Sequence, residues 1–272
     1  MQGSRPAGLG RSTVALAAVL ALLFLSVPVG ALIWRALING GLDRMSAPVV
    51  RDALLLSLDT TARTLAFTLL FGTPLAYAFA RWRFPGRRVL GVLIELPIVL
   101  PPSVAGLALL AAFGRRGIFG PVLSDIDVML PFTTWAVVVA QLFVAAPFYI
   151  RSAQIGFLGV PREIEEAARV DGAGGLALFA YVTLPLARRA LGAGLVLCWA
   201  RAVGEFGATL LFAGNLRGET QTMPLLIEST RASDLNAANA TGAVLIGMAL
   251  AALLLSRWLL RDDETQAEGS PA

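Results

Sequence analysis

The sequence predicts an all-α integral membrane protein with about six transmembrane helices, and three observations carry that prediction. Hydrophobic residues make up 57% of the 272 positions and charged residues 15%, with a mean hydropathy of +0.73. That balance is more apolar and less charged than an ordinary soluble domain shows. Apolar runs of about 20 residues, the length that crosses roughly 30 Å of hydrocarbon, recur along the chain. Finally, the arginines gather at the ends of those runs, as membrane topology signals do.

The first run, Val14 to Ile33, follows Arg5 and Arg11. Small residues near Gly30-Ala31 make a cleaved signal peptide the competing reading, but the apolar stretch exceeds the roughly 7 to 15 residues of a signal core. The next runs are Leu58 to Ala80, Val89 to Phe113, Phe132 to Ile150, Ala190 to Ala213 and Thr241 to Leu260. Pro97, Pro101 and Pro102 fall inside the third, so that span must be kinked or interrupted. With the N-terminus in the cytoplasm, thirteen arginines fall inside and seven outside, while Arg63 and Arg201 lie within spans. This bias places both termini in the cytoplasm. The expected organisation is a cytoplasmic N-terminus over 1–13, a first helix and external loop over 14–53, one membrane domain over 54–260 and a disordered cytoplasmic tail over 261–272.

Residue inventory excludes several classes. There is no His, no Lys and a single cysteine, Cys198, so an internal disulfide, a zinc site and a His-based catalytic relay have no residues to build them. No phosphate-binding Gly-x-x-x-x-Gly-Lys-Ser/Thr loop occurs. Cys198 reads as a small apolar packing residue, and the dispersed arginines give no nucleic-acid face. No metal or cofactor is expected on this chain, and it is not expected to be an enzyme. An ion-coupled secondary carrier needs a lone titratable group in a span; Glu95 is the one without an i, i+4 partner.

The loop from Arg151 to Arg189 is the longest on the cytoplasmic side and the most informative part of the chain. Pro161 and the acidic residues after it suit a helix start, and Gly172 suits its end. Ile164, Ala167, Ala168 and Asp171 share one face of that helix, a small and mildly apolar surface suited to a groove. A second short helix is expected after the Gly172-Ala173-Gly174-Gly175 hinge, ending before Leu184-Pro185. Charges inside spans cost about 2.5 to 3.5 kcal/mol each on insertion scales, so they need partners. Asp59 with Arg63, and Arg201 with Glu205, stand at i, i+4 and can neutralise each other. Gly204, Gly207 and Thr209, beside Glu205 and Phe206, could pack helices together or form a narrow gate.

The run Glu166-Ala167-Ala168, three residues, Gly172, nine residues, then Val182-Thr183-Leu184-Pro185 resembles the signature loop of bacterial ABC-importer permeases, with Val182 where the pattern has Ile. The resemblance extends from the second span to the sixth. The segments Leu96 to Gly106, Phe113 to Gly117, Gly204 to Asn215 and Gly218 to Leu225 are similar to the permeases for molybdate, and sulfate and tungstate permeases share part of this wording. What the resemblance implies is a type I importer permease fold with a cytoplasmic coupling helix, in the inner membrane. It implies a homodimer of this chain, two cytoplasmic ATPase subunits that bind ATP and Mg, and an external oxyanion-binding protein. Glu166, Ala167, Ala168, Asp171, Gly172, Leu184 and Pro185 are then the ATPase-coupling residues. Arg201, Gly204, Glu205, Phe206, Gly207 and Thr209 are candidates for the translocation path or gate.

Overall fold

The computed structural model describes residues 9–38 and 41–261. Most of the expected N-terminal segment and the tail from 262 onward lie outside the described residues. No strand occurs among the described residues, and five helices there are long and apolar enough to cross a membrane.

The helices of seven or more residues are α1 (Leu9–Ile38), α2 (Pro48–Arg81), α3 (Arg87–Val99), α4 (Pro102–Phe113), α5 (Thr134–Leu158), α6 (Arg162–Val170), α7 (Gly175–Val203), α8 (Gly207–Ala213), α9 (Met223–Arg231) and α10 (Leu235–Arg261). The expected third span is α3 followed by α4. Leu100 and Pro101 between them are extended, because Pro101 and Pro102 each disfavour a helical residue before them and Pro102 serves as the first residue of α4.

Besides the earlier start of the second span, at Pro48 rather than Leu58, two features depart from the expected boundaries. The second short helix of the long loop does not stop at Leu184-Pro185; it runs on as α7. A π-helical turn at Phe179–Thr183 explains this, since Leu184 N–H reaches back to Phe179 O and the widened turn accommodates Pro185, which has no N–H to offer. A matching π turn at Thr68–Gly72 precedes Pro74, so α2 stays continuous over 34 residues, about 51 Å. The expected fifth span, Ala190 to Ala213, is instead broken at Gly204-Glu205-Phe206, where α7 ends and α8 begins.

α5 is the hub. Thr133 starts it by accepting a hydrogen bond from Ala136 N–H, and α2, α3, α4, α7 and α8 all pack on it. In hydrocarbon, helices gain little from apolar contact alone, so close approach and hydrogen bonds hold them together. Both operate here. A Cβ on Gly194 of α7 would lie 2.6 Å from Ser152 Cβ of α5, and one on Gly156 would lie 2.5 Å from Ala190 Cβ. Ser152 Oγ donates to Ala190 O at 2.7 Å across that seam. On the other side a buried hydroxyl row on α2 meets α5, with Thr64 Oγ1 donating to Gln141 Oε1 at 3.0 Å and Thr73 bonded to the Tyr149 hydroxyl at 2.7 Å. Tyr149, Ala153, Phe157, Ala187, Cys198 and Ala202 fill the space between. By contrast α1 lies largely uncovered by the rest of the chain and touches α10, where Gly242 leaves room for Leu32.

Gly194→Leu is expected to destabilise the protein by about 1–3 kcal/mol through overpacking, read as a lowered thermal midpoint of detergent-purified protein. Gly247→Leu on α10, where a Cβ meets open space, serves as the control. Equal losses at the two positions would contradict the tight α5–α7 seam.

Candidate functional site

α6 emerges from the end of α5 through Gly159 and Val160. Pro161 is extended, and Glu163 and Glu165 in the first turn favour the positive end of the helix dipole. Its far end closes with Asp171, after which Gly172 takes φ +93°. Gly172 N–H bonds Arg169 O at 3.0 Å and Ala173 N–H bonds Ala168 O at 2.9 Å, the two bonds of a Schellman ending. That left-handed position is why a glycine stands there. Nothing lies within 4 Å of the point its Cβ would occupy, so this corner faces outward.

The sequence singled out Glu166, but its neighbour Glu165 is the carboxylate that the fold buries. Arg81 Nη2, at the end of α2, stands 2.9 Å from Glu165 Oε1, with side-chain exposures of 9% and 7%. Thr183 Oγ1, in the π turn of α7, donates to the same oxygen at 2.8 Å. Arg81 Nη2 also donates to Val160 O at 3.0 Å. The buried guanidinium and its carboxylate partner therefore tie α2, the α5–α6 corner, α6 and α7 together. The signal available beforehand was slight: Arg81 ends a span, and Glu165 lies on the same helical face as Ala168, the half-buried alanine of the motif.

The rest of the expected coupling set lies outward. Glu166, Ala167, Asp171, Gly172 and Pro185 are exposed, and Leu184 is half-buried. Ile164 is exposed too, so the expected face is free except for Ala168, which turns inward. Nearby stand three large apolar side chains outside the expected coupling set: Val170, Leu176 and Tyr181, 88%, 83% and 82% exposed. Val170 ends α6 and the other two lie in the first turns of α7, so the polar helix is bordered by exposed apolar side chains.

The second constellation lies at the α7–α8 break. Arg201 Nη2 is 2.6 Å from Glu205 Oε2, confirming the i, i+4 pairing. Glu205 is fully buried, and its Oε1 accepts Ala208 N–H at 2.8 Å, capping the first turn of α8. A Cβ on Gly207 would lie 2.7 Å from Pro102 Cβ, and one on Gly106 would lie 2.8 Å from Leu211 Cβ, so Gly207 is a close-packing position between α4 and α8. Gly204 is exposed and Phe206 half-buried, while Thr209 is buried with an Oγ1 that has no hydrogen-bond partner. The candidates of this group thus come together around one broken helix, apart from α6.

Other charges in or near the spans are also partnered. Asp59 and Arg63 pair at 2.9 Å, with the guanidinium over the Trp135 ring. Glu95, which has no partner on its own helix, meets Arg151 of α5 at 3.2 Å. This removes the lone titratable group that a secondary carrier reading relied on. On α9, outside the long apolar helices, hydrogen bonds from Arg231 hold the Glu228 carboxyl below its ordinary value. That pair is fully exposed. Among the described residues no group of three or more acidic or cysteine side chains could hold a metal ion.

A family model described as "Binding-protein-dependent transport system inner membrane component" matches residues 69–261. The chain belongs to that family. The molybdenum transport system permease protein ModB of Escherichia coli (strain K12) is 37% identical over 219 residues, covering 79% of this chain and 96% of that protein. The probable sulfate transport system permease protein cysT of Nephroselmis olivacea is 33% identical over 242 residues, covering 88% and 85%. In fold, this permease superposes with TM-score 0.73 on a chain from the crystal structure of a bacterial ABC transporter involved in the import of the acidic polysaccharide alginate. That pair shares 16% identity, with 94% of this chain and 96% of that one covered. The permease is therefore a multi-pass inner-membrane subunit with the type I importer fold.

Removing one member of a buried ion pair strands the other, at about 3–5 kcal/mol. Arg81→Ala in this permease is expected to lose stability of that order in thermal or denaturant unfolding of the purified protein. The double replacement Arg81→Met with Glu165→Leu, which removes both charges, is expected to recover most of it. A silent Arg81→Ala, or a double variant as weak as the single, would contradict the buried tie.

Proposed function

We propose that this permease carries molybdate into the cytoplasm, as a homodimer with two ATPase subunits and an external oxyanion-binding protein, both termini lying in the cytoplasm. The observation that carries the reading is α6: a polar, amphipathic helix, exposed with its apolar border at one end of the bundle and fixed to α2 and α7 by the buried Arg81–Glu165 pair. The arginine distribution supports a cytoplasmic position for it. ATP and Mg belong to the partner ATPase, since this chain has neither a phosphate loop nor a Lys.

In this mechanism the ATPase pair closes around ATP and moves the two α6 helices. The Arg81–Glu165–Thr183 contact passes the movement to α2 and α7, because a packed element bound on two sides moves as a body with its neighbours. At the α7–α8 break, Glu205 neutralises Arg201, so no uncompensated guanidinium holds a divalent oxyanion in transit. Weak binding along the path suits release. The similarity to ModB supports molybdate, and the similarity to cysT supports sulfate as the second reading; tungstate shares the tetrahedral oxyanion chemistry.

Cellular molybdenum is expected to fall in a strain lacking this chain, grown on trace molybdate, and to recover on complementation without competition from excess sulfate. Unchanged molybdenum with a collapse of sulfate uptake would give the second reading. Gly172→Trp forces an L side chain into a left-handed position, at about 1–2 kcal/mol locally, and puts bulk on the docking corner. The variant is expected to reach the membrane and to lose at least about tenfold in uptake relative to ATP hydrolysed, by the same docking argument. Normal uptake would count against the coupling role.

A further inference from the structure

A cavity of about 840 Å³ opens between the end of α2, the α2–α3 turn, the first half of α3 and α5. It takes no part in the coupling or gate constellations. Its mouth is basic: Arg83, Arg87, Arg88 and Arg151 line it against a single carboxylate, Glu95. Arg151 is held by Glu95 at 3.2 Å and by Gln154 at 3.1 Å, and Arg87 donates to Phe79 O. Arg83 and Arg88 are exposed, with no ion pair or hydrogen bond among the described residues. Two arginines in the first turn of α3 also stand at the positive end of its dipole, an arrangement that an anion relieves. The rest of the wall is apolar, with Phe79, Pro147 and Ile150 buried and Val92 exposed.

We infer that this cavity holds the headgroup of an anionic phospholipid, its phosphate among the arginines at the mouth and an acyl chain along the apolar wall. The mixed basic and apolar lining decides between sources of the phosphate chemistry. A free tetrahedral oxyanion gains nothing from Phe79, Val92 and Ile150, whereas a lipid needs both ends. The position fits as well: the cavity lies at the same end of α5 as α6, level with the last turns of a spanning helix, where basic pockets between helices meet headgroups. Trp82 beside it is exposed, as an interfacial anchor is. The bound lipid braces the α2–α3 turn directly next to Arg81.

The test uses the full-length chain purified in neutral detergent, titrated with dioleoylphosphatidylglycerol or dioleoylphosphatidylcholine, with bound lipid counted by native mass spectrometry. Phosphatidylglycerol is expected to bind about tenfold or more tightly than phosphatidylcholine. Arg83→Gln with Arg88→Gln is expected to weaken it about tenfold, since each cation near the surface contributes measurably to anionic lipid binding. Both side chains lack internal bonds, so the fold is expected to survive, checked by an unchanged thermal midpoint without lipid. Equal binding of the two lipids, or an unchanged preference in the variant, would overturn the inference. Displacement of phosphatidylglycerol by millimolar molybdate or inorganic phosphate would make the cavity a free-oxyanion site instead, and a Val92→Cys disulfide between two copies would assign the face to a second protomer. None of these readouts involves transport, so the lipid site stands or falls apart from the proposed import.

Discussion

The contact on which the arrangement depends is the ion pair between Arg81 and Glu165 with the Thr183 hydroxyl. Four pieces of chain converge on one guanidinium and one carboxylate, all nearly out of water. Such a pair is not a large net source of stability, because desolvation offsets much of the attraction. Its effect is on position: in this placement of α6 the buried Arg81 and Glu165 satisfy each other's charge. A short helix of nine residues would otherwise be marginal and free to wander. The Schellman ending at Gly172 and the acidic first turn make it a helix; the buried pair fixes where that helix sits.

The two π turns belong to the same design. Each lies one residue ahead of a proline, at Pro74 and Pro185, and its widened turn accommodates the hydrogen bond that the proline cannot make, so that the long helix continues. The turn before Pro185 carries Thr183, so the irregularity that saves the helix also presents the hydroxyl to Glu165. At the other end of α7 the chain does break, and there too a buried carboxylate resolves the exposed backbone: Glu205 caps α8 while neutralising Arg201. Both sites use one acidic side chain to satisfy a cation and a neighbouring donor at once.

Much of this was legible in the sequence, for identifiable reasons. Spans follow from apolar length, the interruption of the third span from Pro101-Pro102, the Gly172 ending from glycine's tolerance of positive φ, and the Arg201–Glu205 and Asp59–Arg63 pairs from i, i+4 spacing. What stayed hidden depended on tertiary packing. Glu165 and Glu166 are adjacent and chemically equivalent, and only the docking of α6 against α2 selects which is buried. Glu95 and Arg151 lie on different spans, beyond any helical periodicity. The continuation of α7 through Leu184-Pro185 contradicts the usual reading of proline as a stop, and the break at Gly204 sits inside an apolar run that reads as one span. Gly207 shows its role only when Pro102 of α4 is brought against it.

The central claim is that α6 moves as one body with α2 and α7. It is tested most directly by distances between spin labels at Val170 on α6 and Leu186 on α7, and between the two Val170 positions of the proposed homodimer, in the assembled transporter with and without a trapped nucleotide. Both sites are exposed, and Cys198 is buried in the core. The account predicts an α6–α7 distance unchanged within the width of its distribution, while the distance between the two α6 helices shortens on nucleotide trapping. A shift between α6 and α7 comparable to that between the α6 helices would show that the coupling helix swings on its own, and would contradict the rigid tie.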